Sequence, residues 1–179
     1  MGKVFETLEP VRAFIEAQRM FFVASAPKEG VHINVSPKGM SGTFAILGPQ
    51  EVAYLDITGS GVETIAHVRE NGRISLMWCA FEGPPKIVRI HGEGRVVLPT
   101  ADEFPGLRAR FADTPDVRSI IVVRATRISD SCGYGVPKMD FVEERDQLIR
   151  YAKQKGPEGM AAYRAERNHT SLDGLPGLD

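Results

Sequence analysis

Two short stretches hold the residue types most able to do chemistry. In "YLDITGSGVETIAHVREN" a β-like run stops at Thr58-Gly59-Ser60-Gly61 and a helix-like run begins at once. Two glycines and two hydroxyls ahead of a helix leave backbone N–H groups open beside the positive end of the helix dipole, a usual setting for a bound phosphate. The same turn has a plainer use. Ser60 and Glu63 have the S-x-x-E spacing of a capping box, which contributes about 1 kcal/mol without any ligand. Glu63 also works against an anion, because a carboxylate in the first helical turn repels a nearby phosphate. Capping leaves Thr58, Gly59 and Gly61 unaccounted for.

The second stretch, "VHINVSPKGM", ends a predicted strand with Asn34, Ser36 and Lys38 in alternation, so all three share one face. An amide, a hydroxyl and an ammonium there suit an anion or the polar edge of a flat ring. A solvated strand end before a Pro-Lys-Gly turn is the alternative. The remaining candidates are weaker. His32, His67, His91 and His169 are scattered without a paired spacing, so no metal site is expected. Cys79 in "LMWCAF" reads as a core thiol. Cys132 lies with Ser131 and Tyr134 in the glycine-containing loop "DSCGYGVP", with no activating base adjacent in sequence.

These residues must be held by a fold, and the pattern of the chain points to one. "LEPVRAFIEAQ" predicts a short helix with Pro10 near its first turn. "MFFVASA" and "VHINVSP" read as one hairpin, "TFAIL" and "EVAYLD" as another. After the helix at 61–71 come strands in "RISLMWCAF", "KIVRIHGEGRVVL" and "SIIVVRATRI". The central glycines of the second of these predict a bulge or bend. Thr100 and Glu103 predict a capping box on a short helix, and "FVEERDQLIRYAKQKG" and "PEGMAAYRAERN" predict two C-terminal helices. Short strands in hairpin order need mutual closure, so the expected fold is mainly β: a small antiparallel barrel with helices at both ends and one inserted.

The 179-residue length fits one domain with a real core, and the formal net charge of −1 gives no reason to expect a nucleic-acid partner or an anionic membrane surface. No apolar run is long enough to span a bilayer. The opening residues carry no signal-peptide core, and the two cysteines stand alone and far apart. The expectation is a reduced, cytoplasmic protein.

Taken together, "NVSPKG" closing an early strand, "AYLDITGSG", the helix running into "VRENGRISLMW", and "RIHGEGRVV" resemble the pyridoxamine 5′-phosphate oxidase-like FMN-binding split-barrel proteins over roughly residues 20–130. "DSCGYGVP" and "SLDGLP" resemble one branch of that family. The resemblance implies an antiparallel split β-barrel, FMN in a cleft of a homodimer, and electron or hydride transfer with a small-molecule substrate. It places the cofactor against Asn34, Val35, Ser36 and Lys38 of the strand, Thr58, Gly59, Ser60 and Gly61 of the turn, and Thr64 of the helix. Where the oxidase prototype has Ser-Arg-Lys after the turn, this chain has Val62-Glu63-Thr64, with no base. The phosphate's positive partner is therefore expected at Lys38, with Arg89 or Arg95 as alternatives. Cys132 and Tyr134 are the candidates for lining the flavin ring, and Trp78 is either simple core or a stacking wall near the ring. A deazaflavin in place of FMN, or a flavin-holding module without turnover, would use the same barrel. The expected layout is a barrel over residues 1–130 and a helical extension over 131–179, packed on it within one domain.

Overall fold

Every strand pairing among the described residues is antiparallel. The computed structural model describes residues 2–178. In chain order the elements are β1 (Val4–Phe5), a single 3-10 turn (Glu9–Val11), α1 (Arg12–Ala17), β2 (Met20–Ser25), β3 (Asn34–Gly39), β4 (Phe44–Gly48), β5 (Glu51–Ile57), α2 (Glu63–Asn71), β6 (Arg73–Cys79), β7 (Ile87–Val97), α3 (Phe104–Arg108), β8 (Val117–Ser131) and α4 (Gln147–Arg167). The strands form one eight-stranded sheet in the order β3-β2-β6-β7-β8-β5-β4, with β1 added on β8. The end strands β3 and β4 follow one another in sequence yet do not pair. The sheet is thus a barrel left open along one seam: the antiparallel barrel that the hairpin pattern predicts, split as the family resemblance implies.

Alternation along the strands builds the core on the concave face. Phe21, Phe44, Tyr54 and Trp78 form a closed aromatic cluster, with ring centroids 5.3 to 5.6 Å apart in stacked and edge-on pairs. Such pairs add about 0.5–1.5 kcal/mol each beyond their buried area. Leu8, Val11 and Ile15, from the N-terminal turn and α1, close one end of this core.

The inserted helix α2 docks on β7 because β7 makes room for it. The β7–β8 register shifts between His91 and Gly92, so the bulge expected from the central glycines is present. A methyl at Gly92 would lie 2.4 Å from the Arg124 carbonyl oxygen, and one at Gly94 would lie 3.1 Å from the Val68 side chain of α2. α2 ends at Gly72 in the left-handed conformation, whose N–H donates to the Val68 carbonyl.

Three local expectations are corrected. Ser60 does not cap α2: Val62 holds the cap position and no side chain bonds there. Thr100 does not cap α3 either, since Glu103 takes that place and its carboxylate pairs with Arg95. The C-terminal helices begin later than the pattern predicts, at Gln147, and Gly156 (φ 67°) interrupts their path. β1, two residues long, carries no periodicity to read.

Replacing Gly92 with Ala forces its methyl into the β8 backbone. Chemical denaturation should show a loss of about 1–3 kcal/mol, the usual cost of overpacking. An unchanged midpoint would mean that the bulge does not set the approach of β7 to β8.

Candidate functional site

The open seam of the barrel puts the two stretches singled out in the sequence side by side. β3 supplies one wall, the end of β5 and the turn at 58–61 the other, and β2 the floor. Between them lies a groove of about 700 Å³, lined by Met20, Pro37, Lys38, Leu55, Ile57, Thr58 and Gly59. Its body is apolar, its lining also carries Arg19, Glu144 and Arg145, and beside it β3 meets the first turn of α2.

At that junction the inward-facing side chains of β3 form a chain of hydrogen bonds. The Ser36 hydroxyl donates to Asn34 Oδ1 at 2.9 Å, and Asn34 Nδ2 donates to Thr64 Oγ1 at 3.0 Å and to Ser25 Oγ at 3.3 Å. Ser25 Oγ lies 3.0 Å from Nδ1 of the fully buried His67. Nε2 of His67 has no hydrogen-bond partner and sits 3.8 Å from Glu63 Oε2. The structure thus joins Asn34, Ser36 and Thr64. The cluster offers amide and hydroxyl groups rather than formal charge. Val35, between them in sequence, turns its side chain outward and is 63% exposed.

The turn itself is held from below by a buried ion cluster that sequence reasoning missed. Asp56 and Arg118 are both buried, with Arg118 Nε donating to Asp56 Oδ2 at 2.8 Å. Ser119 Oγ donates to the same oxygen, and Lys38 Nζ approaches Oδ1 at 3.2 Å. Burial pushes the Asp56 carboxyl up, but Lys38 and Arg118 more than offset this and hold it below the usual carboxylate range. Arg118 is aimed here by a bulge: Asp56 pairs with Ser119 and Ile57 with Val117, which leaves Arg118 as the extra residue. Its NH1 donates to the Gly61 carbonyl and to Asn168 Oδ1, both at 2.8 Å, while Asn168 Nδ2 donates to the Gly59 carbonyl at 3.0 Å. Arg164 bonds both Thr58 Oγ1 and Asp116. The carbonyls of the turn are therefore tied down by side chains from β8 and the end of α4. A lone acid in "YLDITG" and a lone Arg in "VRSIIVV", each inside an apolar run, were the available sequence signals.

The segment after β8 covers both ends of the site. The Ser41 N–H donates to both carboxylate oxygens of Glu144, the Arg19 guanidinium lies 4.7 Å from the centre of the Phe141 ring, and Leu148 reaches into the groove. Farther on, the Leu172 N–H donates to Glu63, and the Asp173 carboxylate accepts from the His32 N–H.

Several expected site residues lie elsewhere. Trp78 is buried in the core, stacked on Phe21 at 5.4 Å, and its indole has no free face for a ring. Cys132 and Tyr134 are exposed on a loop lying against the Lys86 backbone, away from the groove. Arg89 donates to Ser131 and Arg95 pairs with Glu103, so neither serves the turn. Ser60 is exposed at its tip.

The two turn glycines are not needed by the fold. A methyl at Gly59 would meet nothing within 4 Å, one at Gly61 only Glu63 Cγ at 4.0 Å, and neither backbone is left-handed. They leave bare backbone beside an amide–hydroxyl cluster, which suits a ligand with a polar arm and a flat apolar body.

Comparison with known proteins gives this site a context. The family model described as pyridoxamine 5′-phosphate oxidase matches residues 7–132. The pyridoxamine 5′-phosphate oxidase family protein ustO of Aspergillus flavus is 38% identical over 191 aligned positions, covering 97% of this chain and 77% of that protein. Among solved structures, HupZ of Group A Streptococcus superposes with a TM-score of 0.54 at 17% identity, covering 67% of this chain and 90% of its own. An FMN-binding protein from Syntrophomonas wolfei gives 0.53 at 15% identity, covering 76% and 88%. A FAD-binding protein from Mesorhizobium loti gives 0.51 at 15%, covering 73% and 96%. These three likenesses concern the fold.

Because Asp56 is more acidic in the folded chain than in the unfolded one, its stabilisation is present above the ordinary carboxylate pKa and is lost as pH falls through the folded value. Asp56→Asn should cost about 3–5 kcal/mol at pH 7, since two cations lose their partner in a buried setting. In urea titrations the gap from wild type should narrow as pH falls below about 4, where the unfolded wild-type chain takes up a proton at Asp56 that the folded chain resists. A gap that stays constant down to pH 2 would contradict this role.

Proposed function

The chain belongs to the pyridoxamine 5′-phosphate oxidase family, and on that premise we propose that it is a flavoprotein holding an FMN-sized flavin in the groove between β3 and β5. The observation that carries this reading is the pair of glycines at 59 and 61, which neither packing nor backbone conformation requires. They let a ligand's arm lie directly on the backbone of the turn. The amide and hydroxyl groups of Asn34, Ser36 and Thr64 match the hydroxyls of a ribityl arm, and Leu55, Ile57, Met20 and Pro37 match the body of a flat ring. The FMN-binding and FAD-binding proteins that share the fold support the same reading.

A bound flavin would supply hydride or electron transfer to a small organic molecule, making the protein an oxidoreductase. The chain's own residues prepare the site. Asp56, Arg118 and Asn168 fix the turn before any ligand arrives, which lowers the ordering cost of binding. Phe141 and Leu148 reduce water access to the groove. The working unit is a homodimer: Val31, Ile33 and Val35, at and before the edge strand β3, are 84%, 76% and 63% exposed, an apolar row that a second copy would cover.

Absorbance titration with FMN tests this. Wild type should retain the flavin through desalting. Asn34→Ala, and Gly59→Ala through its added methyl, should each bind about tenfold more weakly, or about 1.4 kcal/mol. Gly59→Ala should keep the wild-type melting temperature, because its methyl meets nothing in the protein. A wild-type chain that takes up no flavin, or a Gly59→Ala variant of unchanged affinity, would overturn the reading.

A further inference from the structure

Two guanidinium groups line the groove without a carboxylate partner. Other cations in and around it are matched: Lys38 faces Asp56, Arg164 faces Asp116 and Arg150 faces Asp146. Arg19 and Arg145 also line the groove, and neither pairs with a carboxylate among the described residues. Arg19 is held through an aromatic ring instead, with its guanidinium carbon 4.7 Å from the centre of Phe141. A guanidinium lying over a ring keeps its in-plane N–H donors free, in the fork that matches a carboxylate. The two arginines reach the groove from different elements. Arg19 precedes the floor strand β2, and Arg145 belongs to the covering segment just before α4.

Strand register sets Arg19 far from the amide–hydroxyl cluster. Met20, the neighbour of Arg19, pairs with Gly39, whereas Ser25 pairs with Asn34 at the other end of the same ladder. The extended chain from Asn34 to Gly39 spans roughly 17 Å at the rise of a strand. A flavin with its arm on Asn34 and the turn therefore directs its ring along Pro37 and Met20 toward Arg19. The arginines are then placed for a group on a second molecule beside the ring. Glu144 limits what that group can be. It lines the same groove, with both carboxylate oxygens accepting from the Ser41 N–H. Two guanidinium groups against one carboxylate leave a single positive charge, which complements a monoanion better than a phosphate dianion. Both arginines are exposed, so water screens the pairing and its contribution is modest.

Given the flavin reading above, on which this depends, we infer that the substrate taken beside the flavin ring is a small carboxylic acid. Arg19 and Arg145 pair with its carboxylate, and Phe141 and Leu148 cover its apolar body. The arginines select and orient the molecule, and they leave the flavin's own arm to the turn and β3.

The test titrates the FMN-loaded protein with benzoate, benzamide and phenyl phosphate, following the flavin absorption bands. Benzamide has nearly the shape of benzoate without its charge, and phenyl phosphate is mostly a dianion at about pH 8. Wild type should bind benzoate about tenfold more tightly than either. Arg19→Gln and Arg145→Gln should each weaken benzoate by about fivefold to tenfold, while FMN and riboflavin affinities stay within about twofold of wild type. A flavin-loaded protein that does not respond to benzoate, or binds benzamide or phenyl phosphate as tightly, would overturn the inference. So would two variants with wild-type benzoate affinity. Variants that lose FMN but keep riboflavin would assign the arginines to the flavin's phosphate, overturning the inference with the flavin reading intact. A wild-type chain that takes up no flavin would overturn that reading and this inference with it.

Discussion

The buried contact between Asp56 and Arg118 is the constraint on which the rest of the site depends. A charged pair removed from water is tolerated only when its remaining donors and acceptors are satisfied. Here that requirement recruits Lys38 from β3, Ser119 from β8, the Gly61 carbonyl of the turn and Asn168 at the end of α4. One ion cluster thereby fixes one edge of the barrel seam, the turn beside it and the C-terminal helix relative to one another. Without the β8 bulge the Arg118 side chain would alternate to the other face of the sheet, and the turn would lose the donor that holds its Gly61 carbonyl.

That cluster also alters what the site can recognise. A lysine next to a glycine turn reads in sequence as a partner for an anion, yet in the fold its charge is matched by Asp56. The polar groups beside the groove are consequently amides, hydroxyls and bare backbone, while the remaining charge on its lining comes from Arg19, Glu144 and Arg145. The split barrel provides the cleft, and the pairing of its charges holds Lys38 against Asp56.

The architecture was legible because it rests on local signals. Hairpin spacing, strand alternation and the glycines of β7 follow directly from backbone sterics and the two-residue period of a strand. The meeting of β3 with α2 was legible only through the family resemblance, which set Asn34 and Ser36 beside Thr64, the second residue of the helix. What sequence could not display was long-range pairing. Asp56 and Arg118 are 62 residues apart, and Asn168 reaches the turn from 109 residues away. Each was visible only as a polar residue out of place. Trp78 was ambiguous for the opposite reason: an aromatic on a strand can face a ligand or a core, and only its stacking on Phe21 decides between them.

The most direct measurement is hydrogen exchange of the backbone amides with and without a saturating flavin, read by mass spectrometry. The account places the ligand on the backbone of the turn and along β3, so exchange should slow at Asn34–Gly39 and at 58–64 while α3 is unchanged. Protection confined to other elements, with the turn exchanging at its free rate, would contradict it.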